Sequence, residues 1–243
     1  MPKNDLTGRV TLVTGASRGI GYAASLALAE AGSHVIAVAR TQGGLEDLDD
    51  AIKAKGGECT LVPMDVKNHD GIDQLGGIIH ERWGRLDGLF ANAGILGEIT
   101  LAAHTTPKSW NDVIATNLTA NVRLIRSLDT LLRASESGRA LFQTSGAANS
   151  RRAYWSAYAA SKAGLEAFVQ CYAKEAESSS LRVNLLNPGA ARTAMRAKAM
   201  PGEDPATLPN PADIAPLMVD MLSPDYLEND TIVTFRDTSY YKT

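Results

Sequence analysis

The chain has 243 residues, 44% of them hydrophobic and 21% charged, proportions that suit one soluble α/β domain built on a single sheet. Lys and Arg number 24 against 27 Asp and Glu, for a formal charge of −3. That balance favours neither nucleic acid nor an anionic membrane as a partner.

The N-terminal MPKNDLTGR lacks the apolar core of a leader, and no apolar run of about 18 residues follows, so neither a signal peptide nor a membrane span is expected. The first apolar run, Val10 to Val13, predicts a strand that ends in TGASRGIG. An alanine-rich helix is expected over roughly Ile20 to Ala31, with Gly32 as its stop. HVIAVA (34–39) is continuously apolar, as a strand buried on both faces should be. A helix over 45–55 and a third strand, ECTLVPM (58–64), come next. A helix over 71–84 carries several glycines, and LDGLFA (86–91) is strand four. A long helix is expected from Lys108 to Ala134, then strand five in RALFQTS (139–145) and a helix over Ala157 to Ser178. LRVNLLN (181–187) is strand six, broken by Pro188-Gly189. The prolines, charges and glycine of RAKAMPGEDPATLPNP (196–211) read as a long loop, either a lid over a pocket or merely exposed chain. A short helix over 212–222 and a last strand, TIVTF (231–235), close the pattern. Strands alternating with helices at this spacing predict a mostly parallel sheet covered on both faces. Cys59 and Cys171 belong to no CxxC or Cys/His cluster, so no metal site is expected, and a reducing, cytoplasmic setting fits.

Two ends of this pattern carry chemistry. Gly15, Gly19 and Gly21 lie between a buried strand and a helix, where glycine permits a sharp turn and lets backbone amides approach a pyrophosphate at the helix N-terminus. NAD binding usually calls for a carboxylate at the end of the second strand. Here the chain reads Ala39, Arg40, Thr41. Arg40, helped by Arg18 in the glycine loop, suits a 2′-phosphate instead, so NADP(H) is expected over NAD(H).

Tyr158 and Lys162 stand four residues apart and share one helix face. A free tyrosine has a pKa of about 10, and an adjacent ammonium should lower it. Ser145 ends strand five, and ligands of doubly wound sheets bind beyond the carboxyl ends of the strands. Its hydroxyl can hold a carbonyl oxygen while Tyr158 donates a proton. Asn92 ends strand four on the same rim. Asn117 lies inside a helix, where asparagine is disfavoured; it is either exposed or holds a water or a kink.

The pieces TGASRGIG (14–21), Asp65, NAG (92–94), Asn117, Ser145, YAASK (158–162) and NPG (187–189) come in the order of the short-chain dehydrogenase/reductase family, which the chain resembles over roughly Leu6 to Phe235. NPGAARTAMR is similar to the NPGxxRTxMR segment of bacterial reductase-like members. The resemblance implies a Rossmann-type doubly wound sheet of seven strands in the order 3-2-1-4-5-6-7, in one domain spanning 1–243 with 190–211 as a substrate-covering loop. It implies Asn117, Ser145, Tyr158 and Lys162 as a catalytic tetrad. Tyr158 would be the acid in reduction and the base in oxidation. Lys162 would bind the nicotinamide ribose and lower the tyrosine pKa, Ser145 would orient the substrate oxygen, and Asn117 would hold a water of a proton relay. For the cofactor it implies Gly15, Ser17, Arg18, Gly19, Ile20, Gly21 and Arg40, then Asp65 and Val66 at the adenine. Asn92, Ala93 and Gly94 would lie along the cofactor, and Pro188, Gly189 and Thr193 near the carboxamide.

Ala147, Ala148, Tyr154, Trp155, Ala190, Met195 and Leu96 are candidates for facing the substrate, a moderately apolar carbonyl compound. Trp155 reads equally as a core or interface residue. Arg151 and Arg152 read first as solvated, with an acidic substrate as the alternative; Arg196 and Lys198 continue that basic character. The expected activity is NADP(H)-dependent reduction of a ketone or aldehyde. The alternatives are an NAD-linked alcohol dehydrogenase and a non-catalytic dinucleotide-binding redox sensor or assembly protein. The resemblance also implies a homodimer or homotetramer through the long helices. Small residues at Ala163, Gly164 and Ala167 suit the dimer, and the absence of glycine after Gly202 weakens the case for the tetramer.

Overall fold

A computed structural model describes residues 4–241. Residues 1–3, where the reading for a leader began, and residues 242–243 lie outside the described residues. Seven strands form the sheet: β1 (Val10–Thr14), β2 (His34–Ala39), β3 (Cys59–Pro63), β4 (Gly88–Ala91), β5 (Arg139–Gln143), β6 (Arg182–Asn187) and β7 (Ile232–Thr234). Their order is β3-β2-β1-β4-β5-β6-β7, and each neighbouring pair is parallel. This is the Rossmann-type order expected.

The apolar runs are continuous because both faces of the sheet are covered. Successive residues of a strand point to opposite faces. Leu12, Ile36 and Phe142 therefore enter one core, packed with Leu124 and Val169, while Val13, Val35 and Leu141 enter the other, packed with Leu28 and Met218. The helices are α1 (Gly19–Glu30), α2 (Gln42–Lys53), α3 (His69–Trp83), α4 (Pro107–Ile114), α5 (Ala120–Arg133), α6 (Ala147–Ser150), α7 (Ser156–Ala176), α8 (Ala194–Ala199) and α9 (Pro211–Met221), of which α1, α5, α7 and α9 supply those partners. Among the described residues, no helix is long and apolar enough to cross a membrane.

Four local differences from the sequence reading matter for the site. The expected helix over 108–134 is interrupted by a π turn at Ala115–Thr119 between α4 and α5. Strand β5 stops at Gln143, so Ser145 lies two residues beyond it, after a last sheet-like bond from Thr144 N to Leu186 O (2.8 Å). Helix α2 begins at Gln42, before the expected 45, because Gly44 lets its first turn press against the Ser17 carbonyl, 2.9 Å from where a Cβ would stand. The segment 190–211 is not all loop. Thr193 Oγ accepts from Arg196 N at 3.2 Å and caps α8, and a 3-10 turn follows at Pro205–Thr207. Gly76 of α3 also has a packing reason: a Cβ there would overlap the Ser127 hydroxyl of α5.

Candidate active site at the carboxyl edge of the sheet

The β1–α1 turn has the features of an anion cradle. Gly15 has φ 69°, and a Cβ there would meet Asn92 Nδ2 at 2.8 Å. A Cβ on Gly21 would overlap the Gly15 carbonyl. Arg18 stands at the N-cap of α1 without a side-chain cap bond, and no acid lies in the first turn. The first-turn N–H groups are thus left for a ligand, and the helix dipole favours a negative one. Ile20 and Val66 are packed in the core, so only their backbone can face a ligand. Asn92 Nδ2 donates to Thr14 O (2.8 Å), while the N–H groups of Asn92 and Ala93 donate to Thr14 Oγ (3.0 Å each). Thr14, which sequence reasoning passed over, therefore ties the end of β4 to the glycine turn.

At the ends of β2 and β3, Arg40 Nη1 lies 3.9 Å from Asp65 Oδ2, and the arginine side chain is 59% exposed. Asp65 Oδ1 accepts from Lys67 N at 2.9 Å. An exposed pair at that separation contributes little and exchanges readily. The residues present suit a dinucleotide with a phosphate at this end: a glycine cradle, an uncapped helix start and two arginines.

Tyr158 and Lys162 sit one turn apart on α7, 8% and 3% exposed. Lys162 Nζ donates to the Gln143 carbonyl at 2.6 Å and stands 6.0 Å from the Tyr158 ring centre. Burial pulls the ammonium from its usual 10.5 down to about 8, against an upward pull from the Glu166 carboxylate. Sequence reasoning expects Lys162 to lower the phenol pKa. Burial instead raises the Tyr158 phenol above its usual value, with the Ser145 hydroxyl pulling the other way. Desolvation of the phenolate is the larger effect.

Asn117 occupies the π turn and is fully buried. Its Oδ1 accepts from Ile95 N (2.8 Å), and its Nδ2 donates to Ile95 O (2.9 Å) and Ser161 Oγ (3.0 Å). Asn121 Nδ2 donates to the Asn117 carbonyl (2.8 Å). The exposed alternative is excluded, and the helix is kinked here: the side chain anchors the segment after NAG. Gly94 fits between, since a Cβ there would lie 3.3 Å from Asn117 Oδ1 and 3.8 Å from Lys162 Nζ.

Two further side chains order the rim. Glu166, one turn beyond Lys162 and buried, accepts from Thr144 Oγ (2.6 Å) and Asn149 Nδ2 (3.3 Å). Asn187 Oδ1 accepts from Gly146 N (3.2 Å) and Gly189 N (3.1 Å), joining the Ser145 loop to the Pro188-Gly189 turn. The signal for Glu166 was its i+4 spacing from Lys162; Asn187 was visible only as part of NPG. Ser145 Oγ accepts from Ala147 N at 3.2 Å. Thr193 arches back toward the glycine turn, its methyl 3.5 Å from where a Cβ on Gly19 would stand.

Leu96, Ala147 and Tyr158 form a small apolar cluster, joined by Trp155 and by Ala199 of α8. The Trp155 and Tyr158 rings meet edge to face at 5.9 Å. Ala148 is buried and Ala190 half-buried, while Tyr154 and Met195 are exposed. Arg151 and Tyr154 hold positive φ angles of 47° and 73°, a strained backbone of the kind found beside functional sites. Beneath α8 lies a cavity of about 300 Å³ bounded by Arg192, Thr193, Arg196, Met200, Glu203 and Leu208.

Comparison with known proteins places the chain in a family. A family model described as short chain dehydrogenase matches residues 9–204. The uncharacterized oxidoreductase YciK of Escherichia coli (strain K12) is 39% identical over 228 residues, covering 92% of this chain and 90% of that protein. The 3-oxoacyl-(acyl-carrier-protein) reductase FabG of Vibrio harveyi is 32% identical over 238 residues, 94% of this chain and 96% of that one. Among solved structures, a short chain dehydrogenase from Shigella flexneri 2a str. 301 complexed with NADP superposes with a TM-score of 0.89 at 36% identity, over 96% of this chain and 99% of that one.

Proposed function

Since the chain belongs to the short-chain dehydrogenase/reductase family, we propose that it is an NADP(H)-dependent oxidoreductase that reduces a ketone or aldehyde to an alcohol. The observation that carries this reading is a buried phenol and a buried ammonium on one face of α7, at the same sheet edge as the uncapped glycine turn. When bound, the reduced nicotinamide supplies a hydride to the carbonyl carbon. Tyr158 would donate its proton to the carbonyl oxygen; burial holds the phenol in its protonated form, the state from which it donates. Ser145 holds the oxygen. Lys162 would bind the ribose hydroxyls, and Tyr158 would regain its proton from solvent. Asn117 keeps the Ile95 segment and α7 in register around them.

The glycine turn would hold the pyrophosphate, and Asn92 to Gly94, Pro188, Gly189 and Thr193 would frame the nicotinamide half. Arg18 and Arg40 would take the 2′-phosphate, and the exposed Arg40–Asp65 pair is weak enough for Arg40 to turn to it. Structures of similar proteins complexed with NADP or NADPH support a nicotinamide dinucleotide in this place. One catalytic domain, with α8 and its flanks as the substrate cover, and a dimer through the helices that include outward-facing Ala163 and Ala167 complete the reading. The test is fluorescence titration with NADPH and NADH at fixed ionic strength. Arg40→Ala should weaken NADPH by about tenfold, the worth of one charge-assisted bond, and leave NADH within about twofold. Equal loss for both cofactors, or none, refutes the preference.

A further inference from the structure

The rim carries more positive charge than carbonyl reduction needs. Glu203 accepts both bonds of the Arg196 fork, from Nε at 2.5 Å and Nη2 at 2.6 Å. Arg152 and Arg236 also act on the same carboxylate, and together with Arg196 they hold it below its usual range. The three arginines come from different elements. Arg152 lies between α6 and α7, with Nη1 4.0 Å from Met200 Sδ. Arg196 is on α8, and Arg236 follows β7, its Nε 3.9 Å from where a Cβ on Gly189 would stand. The neighbouring Asp204 is engaged elsewhere, accepting from Ala206 N at 2.8 Å. Glu203 is thus held by the Arg196 fork beside the cavity of about 300 Å³, with the charges of Arg152 and Arg236 acting on it from further away.

The cluster is also close to the chemistry. Ala199 packs in the group that contains Tyr158 and Trp155. Arg196 lies three residues earlier on the same helix, hence on the same side and about 5 Å along the axis.

We propose that the carbonyl substrate is a small molecule with an anionic group, carboxylate or phosphate, received by Arg196 and Arg152 when Glu203 yields its place. Glu203 stands in for that group: it already satisfies the planar fork that guanidinium offers to carboxylate or phosphate. This rests on the carbonyl-reductase reading.

The test pairs each short keto acid with its methyl ester and each keto phosphate with its dephosphorylated ketone, all with NADPH. The wild type should favour the anion of each pair by about tenfold or more in kcat/KM, and the preference should shrink with salt. Arg196→Met should remove that preference while leaving the neutral partners within about twofold. Arg152→Met, on a separate element, should do the same to a smaller extent. Glu203→Gln should lower KM for the anions only. Preference for one pair over the other identifies carboxylate or phosphate. Equal turnover of charged and neutral partners overturns the proposal and leaves the reductase reading standing, as does an Arg196→Met variant that slows both alike. No turnover of either partner by a protein that binds NADPH overturns the reductase reading and this proposal with it.

Discussion

Lys162 shows what a buried charge costs and what it is for. Its ammonium is 3% exposed and titrates at about 8 instead of 10.5. Between those values the unfolded chain holds the proton and the folded chain has lost it. Stability therefore rises with pH through that window, and below about 8 the full penalty of burying the cation is present. The shift corresponds to about 3 kcal/mol. Lys162→Met removes that penalty, though it leaves the Gln143 carbonyl without its donor, a loss of about 1–3 kcal/mol. The second cost does not depend on pH. The stability of wild type relative to Lys162→Met should therefore improve by about 3 kcal/mol between pH 7 and pH 10.5, read from urea unfolding of both proteins. A difference that stays flat with pH would place the ammonium in contact with water. A protein accepts such a penalty at a site that uses the charge, which is why the same variant should abolish the proposed carbonyl reduction at every pH.

At the scale of elements, the sequence makes the helices and strands legible but not the places where they break. The pattern over 108–134 stays amphipathic throughout, so it reads as one helix. The π turn at Ala115–Thr119 arises from bonds that periodicity does not contain, from Asn117 to Ile95 and Ser161. The six residues of α8 are too short for a periodic signal, and their helix formers were outweighed by the prolines and glycine that follow. Tyr158, Lys162 and the glycine turn were legible because their spacing is local. The rim bonds of Thr14, Glu166 and Asn187 were not, because each joins segments far apart in the chain. Asn117 tests this account. Asn117→Ala would leave both polar groups of Ile95 and the Ser161 hydroxyl without that partner. The expected loss is about 2–4 kcal/mol in denaturant unfolding. Because the anchored segment runs beside Gly94 and Lys162, kcat should fall further than the folded fraction does. A variant that loses stability but keeps full specific activity would make Asn117 a structural anchor alone.

Across the whole molecule, the two edges of the sheet are built for opposite purposes. The carboxyl edge gathers uncapped helix-start amides, a phenol and arginines, the groups the proposed function uses. The opposite edge consumes its charges internally. Asp87 is 4% exposed and accepts from Val10 N (2.9 Å), Arg85 Nε (3.1 Å) and Ser135 Oγ (2.6 Å). Arg9, also buried, donates to the Asp87 and Ser137 carbonyls at 2.8 and 2.9 Å. Burial lowers the Arg9 pKa and the Asp87 charge opposes that fall. Sequence reading took Asp87 as part of a strand and gave it no role, since a single acid at the start of an apolar run names no partner. Removing it by Asp87→Ala strips the countercharge from a buried guanidinium and unpairs the start of β1, at a cost of about 3–5 kcal/mol. The proposed sites of cofactor and substrate lie across the sheet from this lattice, so the fraction that remains folded should bind NADPH with unchanged affinity. Unfolding curves read beside cofactor titrations separate the two effects. A drop in affinity with little loss of stability would mean that the edges are coupled through β1 and β4, and that the lattice also sets the geometry of the glycine turn.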